Sequence, residues 1–381
     1  MTRMDHAPSV PAEWPGLSAT IAAQHVPRPS ASVRLPVLDG LRLLAALMVV
    51  GFHLVHNSSS VWGAPPAAVF GPLDTVARYG WLGVQLFFLI SGFVICMSSW
   101  GRGLGDFFVS RAVRLYPAYW AAVLLTTAVL TLWPVILHRL PLPEILANLT
   151  MLNGLLGLRF VDNSYWTLTV ELVFYLLFAV VVARGVNHRR VVAFCGLWTV
   201  ASVLALSTHN PWLNLVLAAE HAPYFVAGMA LFLVHRFGPN LLLWSIVGIS
   251  WLLAVAGAAG RAYARGVSYP AVIVIISAFF LVMSAVSLGL LSRIRARWLV
   301  TAGALTYPLY LLHQMIGLTA IAGLHSYVPA YALLTGLVVA LLLAAWLVHR
   351  WVERPVSRWM KRHLSGSMRR LRTAPAPSAS R

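Results

Sequence analysis

Ten apolar stretches of membrane-spanning length, broken by Gly, Pro and charge, constrain this chain more than any other feature. They fall near residues 36–56, 80–99, 117–137, 165–184, 190–207, 213–235, 240–259, 269–290, 299–322 and 328–350. A helix rises about 1.5 Å per residue, so about 20 apolar residues cross the hydrocarbon layer. The expected fold is all-α: a polytopic membrane helix bundle with about ten transmembrane helices. Composition agrees, since 60% hydrophobic and only 10% charged residues are too apolar for an ordinary soluble domain.

The net charge of +18 raises the question of nucleic acid, but the basic residues punctuate apolar spans instead of forming one stripe interleaved with aromatics. No nucleic-acid partner is expected; the lipid bilayer is. With the tails and every even-to-odd loop assigned to one side, 22 Lys and Arg fall there and 5 on the other, Arg42 being left in its helix. The positive-inside bias makes the richer side cytoplasmic, with both termini on it, which an even number of spans requires. Residues 1–34 are polar, contain Pro and Ser and show no signal-peptide pattern, so they read as a mobile cytoplasmic tail. Residues 35–358 form the membrane domain. Residues 359–381, basic and then rich in Ala, Pro and Ser, read as a disordered cytoplasmic tail drawn to anionic headgroups. Cys96 and Cys195 sit in apolar segments and fit neither a metal site nor a disulfide framework.

The first span, PVLDGLRLLAALMVVGFHLVH, carries Asp39, Arg42, His53 and His56. An ionisable group inside a span must face protein or a water-filled cavity, which makes it a candidate functional residue. Arg42 and His53 are eleven positions apart, about three turns and within about 20° of one face, so both are expected to look at one cavity. The plainer alternative has Arg42 snorkelling and paired with Asp39, with His53 a packing residue.

Other segments add polar groups at membrane depth. Ser91 and Gly92, in GWLGVQLFFLISGFVI, suit close helix packing. Arg111 and Arg114, three apart, give a cationic edge just outside the third span; planar guanidinium forks suit phosphate, and plain positive-inside anchoring is the alternative. Thr167, Glu171 and Tyr175 recur on one face of the fourth span, where Glu171 is an acid, a base, a substrate anchor or half of a structural ion pair. Glu220 and His221 lie near the outer end of the sixth span. In the ninth, Thr306, Tyr310, His313 and Gly317 share a side. Phosphate-binding glycine loops, paired metal ligands and G-x-S-x-G elbows are missing from the sequence. A buried polar cavity with a cationic inner edge fits a membrane enzyme and a transporter equally.

The order of these segments resembles the acyltransferase-3 family of integral membrane O-acyltransferases over about residues 34–357. The likeness is carried by Arg42 and His53 behind LDGLR, by GVQLFFLISGFVI, and by RAVRLYPAYW with Arg111 and Arg114. It continues in YWTLTVELVFY with Trp166 and Glu171, in the tyrosine-rich approach to His313 and in the closing ERP. The resemblance implies transfer of an acyl group, usually acetyl, from cytoplasmic acyl-CoA to a sugar hydroxyl of a surface or lipid-linked glycan such as exopolysaccharide or lipopolysaccharide. Some relatives act on macrolides or other small glycosides instead. It further implies a multi-pass protein of the bacterial cytoplasmic (inner) membrane, with acyl-CoA as co-substrate and no metal. The extracytoplasmic esterase-like domain that some members carry is not seen, and oligomeric state is left open.

On this resemblance Arg111 and Arg114 are expected to hold the coenzyme A phosphates, with Arg42 nearer the thioester. His53 is expected to act as base or transient acyl acceptor. Glu171 would orient His53 or bind the sugar, and Trp166, Tyr310 and His313 are candidates for substrate contact or the oxyanion. Arg42 to His53 rises about 16 Å, enough for a donor entering from inside to present its acyl end at mid-membrane.

Overall fold

A computed structural model describes residues 35–294 and 296–373. Every regular element among them is helical. Among the described residues, ten helices form the bundle. α1 is Pro36–Gly51, continued as a π-helical turn Phe52–His56; α2 is Gly83–Ser99, α3 Leu104–Leu132, α4 Trp166–Ala183 and α5 His188–Thr208. α6 is Ala222–Phe237, α7 Leu241–Ala264, α8 Tyr269–Ser287, α9 Arg297–Leu324 and α10 Ala330–Leu347. A π-helical turn, Val348–Glu353, joins α10 to α11, Arg354–Thr373.

Among the described residues, eight segments are long and apolar enough to cross a membrane. The two members of the ten that fall short do so for reasons of position. α6 has only 16 residues, yet every residue from Ala222 to Val234 except Pro223 is buried. α9 has 28 residues but carries Tyr307, Tyr310, His313 and Gln314, whose polar groups protein, not lipid, surrounds. α2 packs chiefly on α6 and α1 on α9, so these four helices make the centre of the bundle.

Glycine sets the tightest crossing. A Cβ on Gly92 would fall on the Phe225 carbonyl oxygen, and one on Gly228 on the carbonyl oxygen of Leu89. Only residues without a side chain let α2 and α6 approach so closely.

Three boundaries depart from the sequence reading. α3 starts at Leu104, well before the expected 117, because Pro117 sits inside the helix. A mid-helix proline frees the carbonyl four residues back, here Val113, and the hydroxyl of Ser357 on α11 donates to that oxygen at 2.8 Å. The expected span 213–235 divides into a short helix Pro211–Val216 and α6. The segment expected to be disordered from 359 onward stays helical to Thr373, its start held against α3 through Ser357. The expected tail 1–34 and residues 374–381 lie outside the described residues.

Candidate active site

A cavity opens among α1, α2, α3, α4 and α9. Its polar lining is Arg42, Ser91, Arg111, Arg114, Thr167, Glu171, Tyr175, Thr306, Tyr307 and Tyr310; Val84, Phe87, Phe88, Val94, Ile95, Leu115 and Leu168 supply the apolar wall. Three guanidinium groups therefore face a space that contains one carboxylate. Arg42 also pairs with Asp39 at 3.6 Å, so the ion-pair reading and the cavity reading of Arg42 hold together. Gly303 of α9 faces Asp39 so closely that a Cβ there would sit 2.7 Å from its Oδ1.

Arg111 and Arg114 stand within the first three turns of α3 and line the cavity, Arg111 half-buried and Arg114 exposed. The early start of α3 causes this. Arg111 is bonded to the hydroxyls of Ser110 (3.2 Å) and Ser98 (3.4 Å) and lies 6.0 Å from the Tyr175 ring centroid. Glu171 accepts from Tyr175 Oη at 2.5 Å and from Ser91 Oγ at 3.1 Å. Ser91, expected only to pack, is thus a donor to the cavity's carboxylate. Among the described residues no arginine lies within ion-pair distance of Glu171.

His53 does not line this cavity, contrary to the expectation from helix geometry. It sits on the π-helical turn that ends α1, a widening found frequently at functional sites. Its partner is His313, and not Glu171: His53 Nδ1 lies 2.9 Å from His313 Nε2, and His313 Nδ1 lies 2.6 Å from the carbonyl oxygen of Tyr310. A carbonyl only accepts, so His313 Nδ1 carries the hydrogen and, in a neutral ring, Nε2 carries the lone pair. His53 Nδ1 must then donate to it. That leaves the lone pair of a neutral His53 on Nε2, the position of a general base. His313 is fully buried, whereas His53 is partly accessible.

Tyr310 belongs to both sets. Its side chain lines the cavity, donates to the Ser164 carbonyl at 3.0 Å and lies 2.8 Å from Thr167 Oγ1, while its carbonyl fixes His313. The turn that carries His313 is clamped from the start of α4. Asp162 Oδ2 accepts from the Met315 amide at 2.8 Å, and Tyr165 Oη donates to the Leu311 carbonyl at 3.1 Å. Those two backbone groups are the pair that one ideal helical turn would join. Asp162 was not singled out in the sequence; the signal was its place as a helix-start aspartate, and its Oδ1 caps the Ser164 amide at 2.8 Å.

Trp166 does not line the cavity. It is 38% exposed and packs edge-on to Phe88 and against His221, with ring centroids 6.4 and 5.3 Å apart. His56 makes a contact the sequence did not reveal: its Nδ1 lies 2.7 Å from Oδ1 of buried Asp74, whose Oδ2 accepts from Arg78 at 2.8 Å.

The helix bundle thus carries a cationic cavity and, beside it, a tautomer-fixed histidine pair. The chain belongs to the acyltransferase-3 family: the family model for an acyltransferase domain matches residues 35–350. It is 25% identical to Acyltransferase MdmB of Streptomyces mycarofaciens over 92% of this chain and 97% of that protein. It is 28% identical to Peptidoglycan O-acetyltransferase OatA of Listeria monocytogenes over 37% of this chain and 23% of that protein. With Exopolysaccharide production protein ExoZ of Rhizobium meliloti it shares 29% identity over 73% of this chain and 90% of that protein. No solved structure matches the chain significantly. The protein is thus a multi-pass membrane acyltransferase by family.

Proposed function

We propose that this enzyme moves an acyl group, acetyl first among the candidates, from acyl-CoA to a sugar hydroxyl of a surface glycan, in the cytoplasmic membrane of a bacterium with the arginine-rich loops inside. The observation that carries the reading is the charge of the cavity: Arg42, Arg111 and Arg114 face one space with a single carboxylate, Glu171. Such a site suits a polyanionic donor whose reactive end is uncharged. Similarity to OatA and ExoZ, a peptidoglycan O-acetyltransferase and an exopolysaccharide production protein, supports a glycan acceptor.

In this mechanism Arg111 and Arg114 bind the donor's phosphates and Arg42 lies beside the thioester. The acceptor oxygen attacks the thioester carbon while His53 Nε2 takes the hydroxyl proton; the carbon–sulfur bond breaks, an ester forms, and the proton passes to the leaving thiolate. His313 is a positioning residue that keeps the His53 lone pair on Nε2. Tyr310 or Thr167, whose hydroxyls are bonded to each other and to the Ser164 carbonyl, turns a hydroxyl to the developing oxyanion. Since His53 lies outside the cavity and Tyr310 touches both sets, the acyl end reaches His53 by a turn of the Tyr310 side chain. Glu171, held by Ser91 and Tyr175, contacts the donor or the sugar.

The test is release of free coenzyme A from acetyl-CoA by vesicles holding the protein, with native membrane glycolipid added. Release that needs both the glycolipid and His53, and falls at least about 100-fold in His53→Ala, is the expected result. Turnover retained by His53→Ala removes His53 from the chemistry. Glycolipid movement without coenzyme A release replaces the reading with a transporter.

A further inference from the structure

A second pocket opens where α10 turns into α11, and no residue of it has a part in the proposed acyl transfer. It is lined by Arg350, Glu353, Arg354, Ser357 and Arg358. Arg354 and Arg358, four apart, share a face of α11, and Arg350 joins them from the π-helical turn Val348–Glu353. Such widened turns frequently mark functional sites, and the other one among the described residues carries His53. This turn also changes the helix's neighbour: α10 packs chiefly on α9, and α11 packs on α3.

The pocket has an excess of positive charge. Three guanidinium groups face it with one carboxylate, Glu353, whose Oε2 lies 2.8 Å from His349 Nδ1. Among the described residues no carboxylate comes within ion-pair distance of Arg350, Arg354 or Arg358. Arg358 Nε donates to the Arg354 carbonyl at 3.3 Å, one turn back on its own helix, so its two Nη groups stay available. All three arginines are exposed and can be reached by a ligand. Like charges four apart on a helix repel, and an anion held between them removes that repulsion. Positive-inside anchoring asks only for charge on this side of the membrane. It does not require three guanidinium groups to converge on one pocket.

The pocket is tied to the cationic end of the first cavity. Ser357, in its wall, donates to the Val113 carbonyl at 2.8 Å, and Val113 stands between Arg111 and Arg114, which line that cavity. Arg114 is exposed, which puts the cationic end of the cavity at the surface. A donor whose pyrophosphate rests on Arg111 and Arg114 therefore leaves its nucleotide outside the cavity, beside α11. Acyl-CoA carries there a ribose 3′-phosphate, a monoester with three terminal oxygens and a charge of about −1.5 to −2. Converging guanidinium forks suit that group, the densest charge on the donor.

We propose that this pocket is the donor's 3′-phosphate site: Arg354 and Arg358, with Arg350, bind the ribose 3′-phosphate, while Arg111 and Arg114 keep the pyrophosphate. Ser357 is a positioning residue that fixes α11 against α3. The assignment rests on the acyl-CoA reading above and makes the enzyme selective for coenzyme A over its 3′-dephospho form.

Binding is read separately from turnover. The full-length protein in phosphatidylcholine nanodiscs is titrated with adenosine 3′,5′-bisphosphate and with adenosine 5′-phosphate. The bisphosphate should bind at least about tenfold more tightly, the scale of one charged hydrogen bond, and Arg354→Gln/Arg358→Gln should bring the two nucleotides level. In turnover the same variant should raise KM for acetyl-CoA at least about tenfold with kcat kept, and leave KM for acetyl-3′-dephospho-CoA unchanged. Wild-type protein that binds both nucleotides equally overturns the proposal, whatever the variant does to the fold. So does a variant that weakens both donors alike. A preference for the bisphosphate that disappears when phosphatidylglycerol is added to the nanodiscs assigns the arginines to lipid headgroups and overturns it too. A preference with no coenzyme A release keeps the pocket and sinks the acyl-transfer reading; release with both donors used equally does the opposite.

Discussion

Replacing Gly228 by alanine tests whether the α2–α6 crossing holds the bundle together. The added Cβ falls on the Leu89 carbonyl oxygen and 2.7 Å from the Phe93 amide nitrogen, both backbone atoms that no rotamer change can move. Ordinary contact is about 3.5 Å, so the helices must part by about 1 Å. A gap of that size forfeits up to half of a well of about 0.1–0.2 kcal/mol per atom pair, and about 40 pairs, as around one buried leucine, gives about 3 kcal/mol. Alanine returns about 1 kcal/mol over glycine inside a helix. The net is about 2 kcal/mol, or roughly a 30-fold shift in the unfolding equilibrium. Gly248 of α7 is the control, because a Cβ there meets nothing within 4 Å, and Gly248→Ala should stabilise by up to about 1 kcal/mol. Denaturant titration of both variants in the same detergent compares the signs. Equal behaviour of the two variants would refute the argument that the crossing, and not helix propensity, decides.

Two further outcomes are expected. His313→Leu removes the acceptor for His53 Nδ1–H and frees the His53 tautomer; a lost buried hydrogen bond of about 1–3 kcal/mol corresponds to about 5- to 150-fold in kcat. The KM for acyl-CoA should hold, since the arginines are untouched, and a loss confined to KM would place His313 in binding instead. In the loop between α3 and α4, the hydrogen bonds from Arg159 hold the Glu144 carboxyl below its ordinary value of 4.5. A depressed folded pKa gives a contribution that is present above the unfolded value and fades as pH falls through the folded one. The stability difference between wild type and Glu144→Gln should therefore be seen at neutral pH and vanish in acid or in high salt, as measured by thermal unfolding.

Residues whose meaning depends on one helix were legible in the sequence; those whose meaning depends on two were not. Spanning length exposed most of the bundle, and the four-residue period joined Thr167, Glu171 and Tyr175, all of which line the cavity. The eleven-residue spacing placed Arg42 correctly but misled about His53, because the turn at Phe52–His56 is π-helical and its neighbour is α9, 260 residues away in sequence. Pro117 misplaced the start of α3 because the residue that satisfies the carbonyl it frees, Ser357, lies near the other end of the chain. Asp162 and Asp74 gave no periodic signal, since each acts through a contact with a different element.

Tyr310 shows why composition alone left enzyme and transporter even. A transporter would carry its whole substrate past the point where the arginine cavity meets the histidine pair. The arginine cavity ends at the Tyr310 side chain, which is bonded twice to the start of α4, through Ser164 and Thr167, and the histidine pair begins at the Tyr310 carbonyl. Moving a whole substrate past this point means breaking both bonds and parting α4 from α9, where Asp162 and Tyr165 also grip the α9 backbone. Passing only a small acyl group breaks the two Tyr310 bonds as its side chain turns, but leaves the grips of Asp162 and Tyr165 on α9 in place. The clamped geometry therefore favours chemistry across a thin partition over passage through it, and it makes Tyr310 the residue at which the two readings separate.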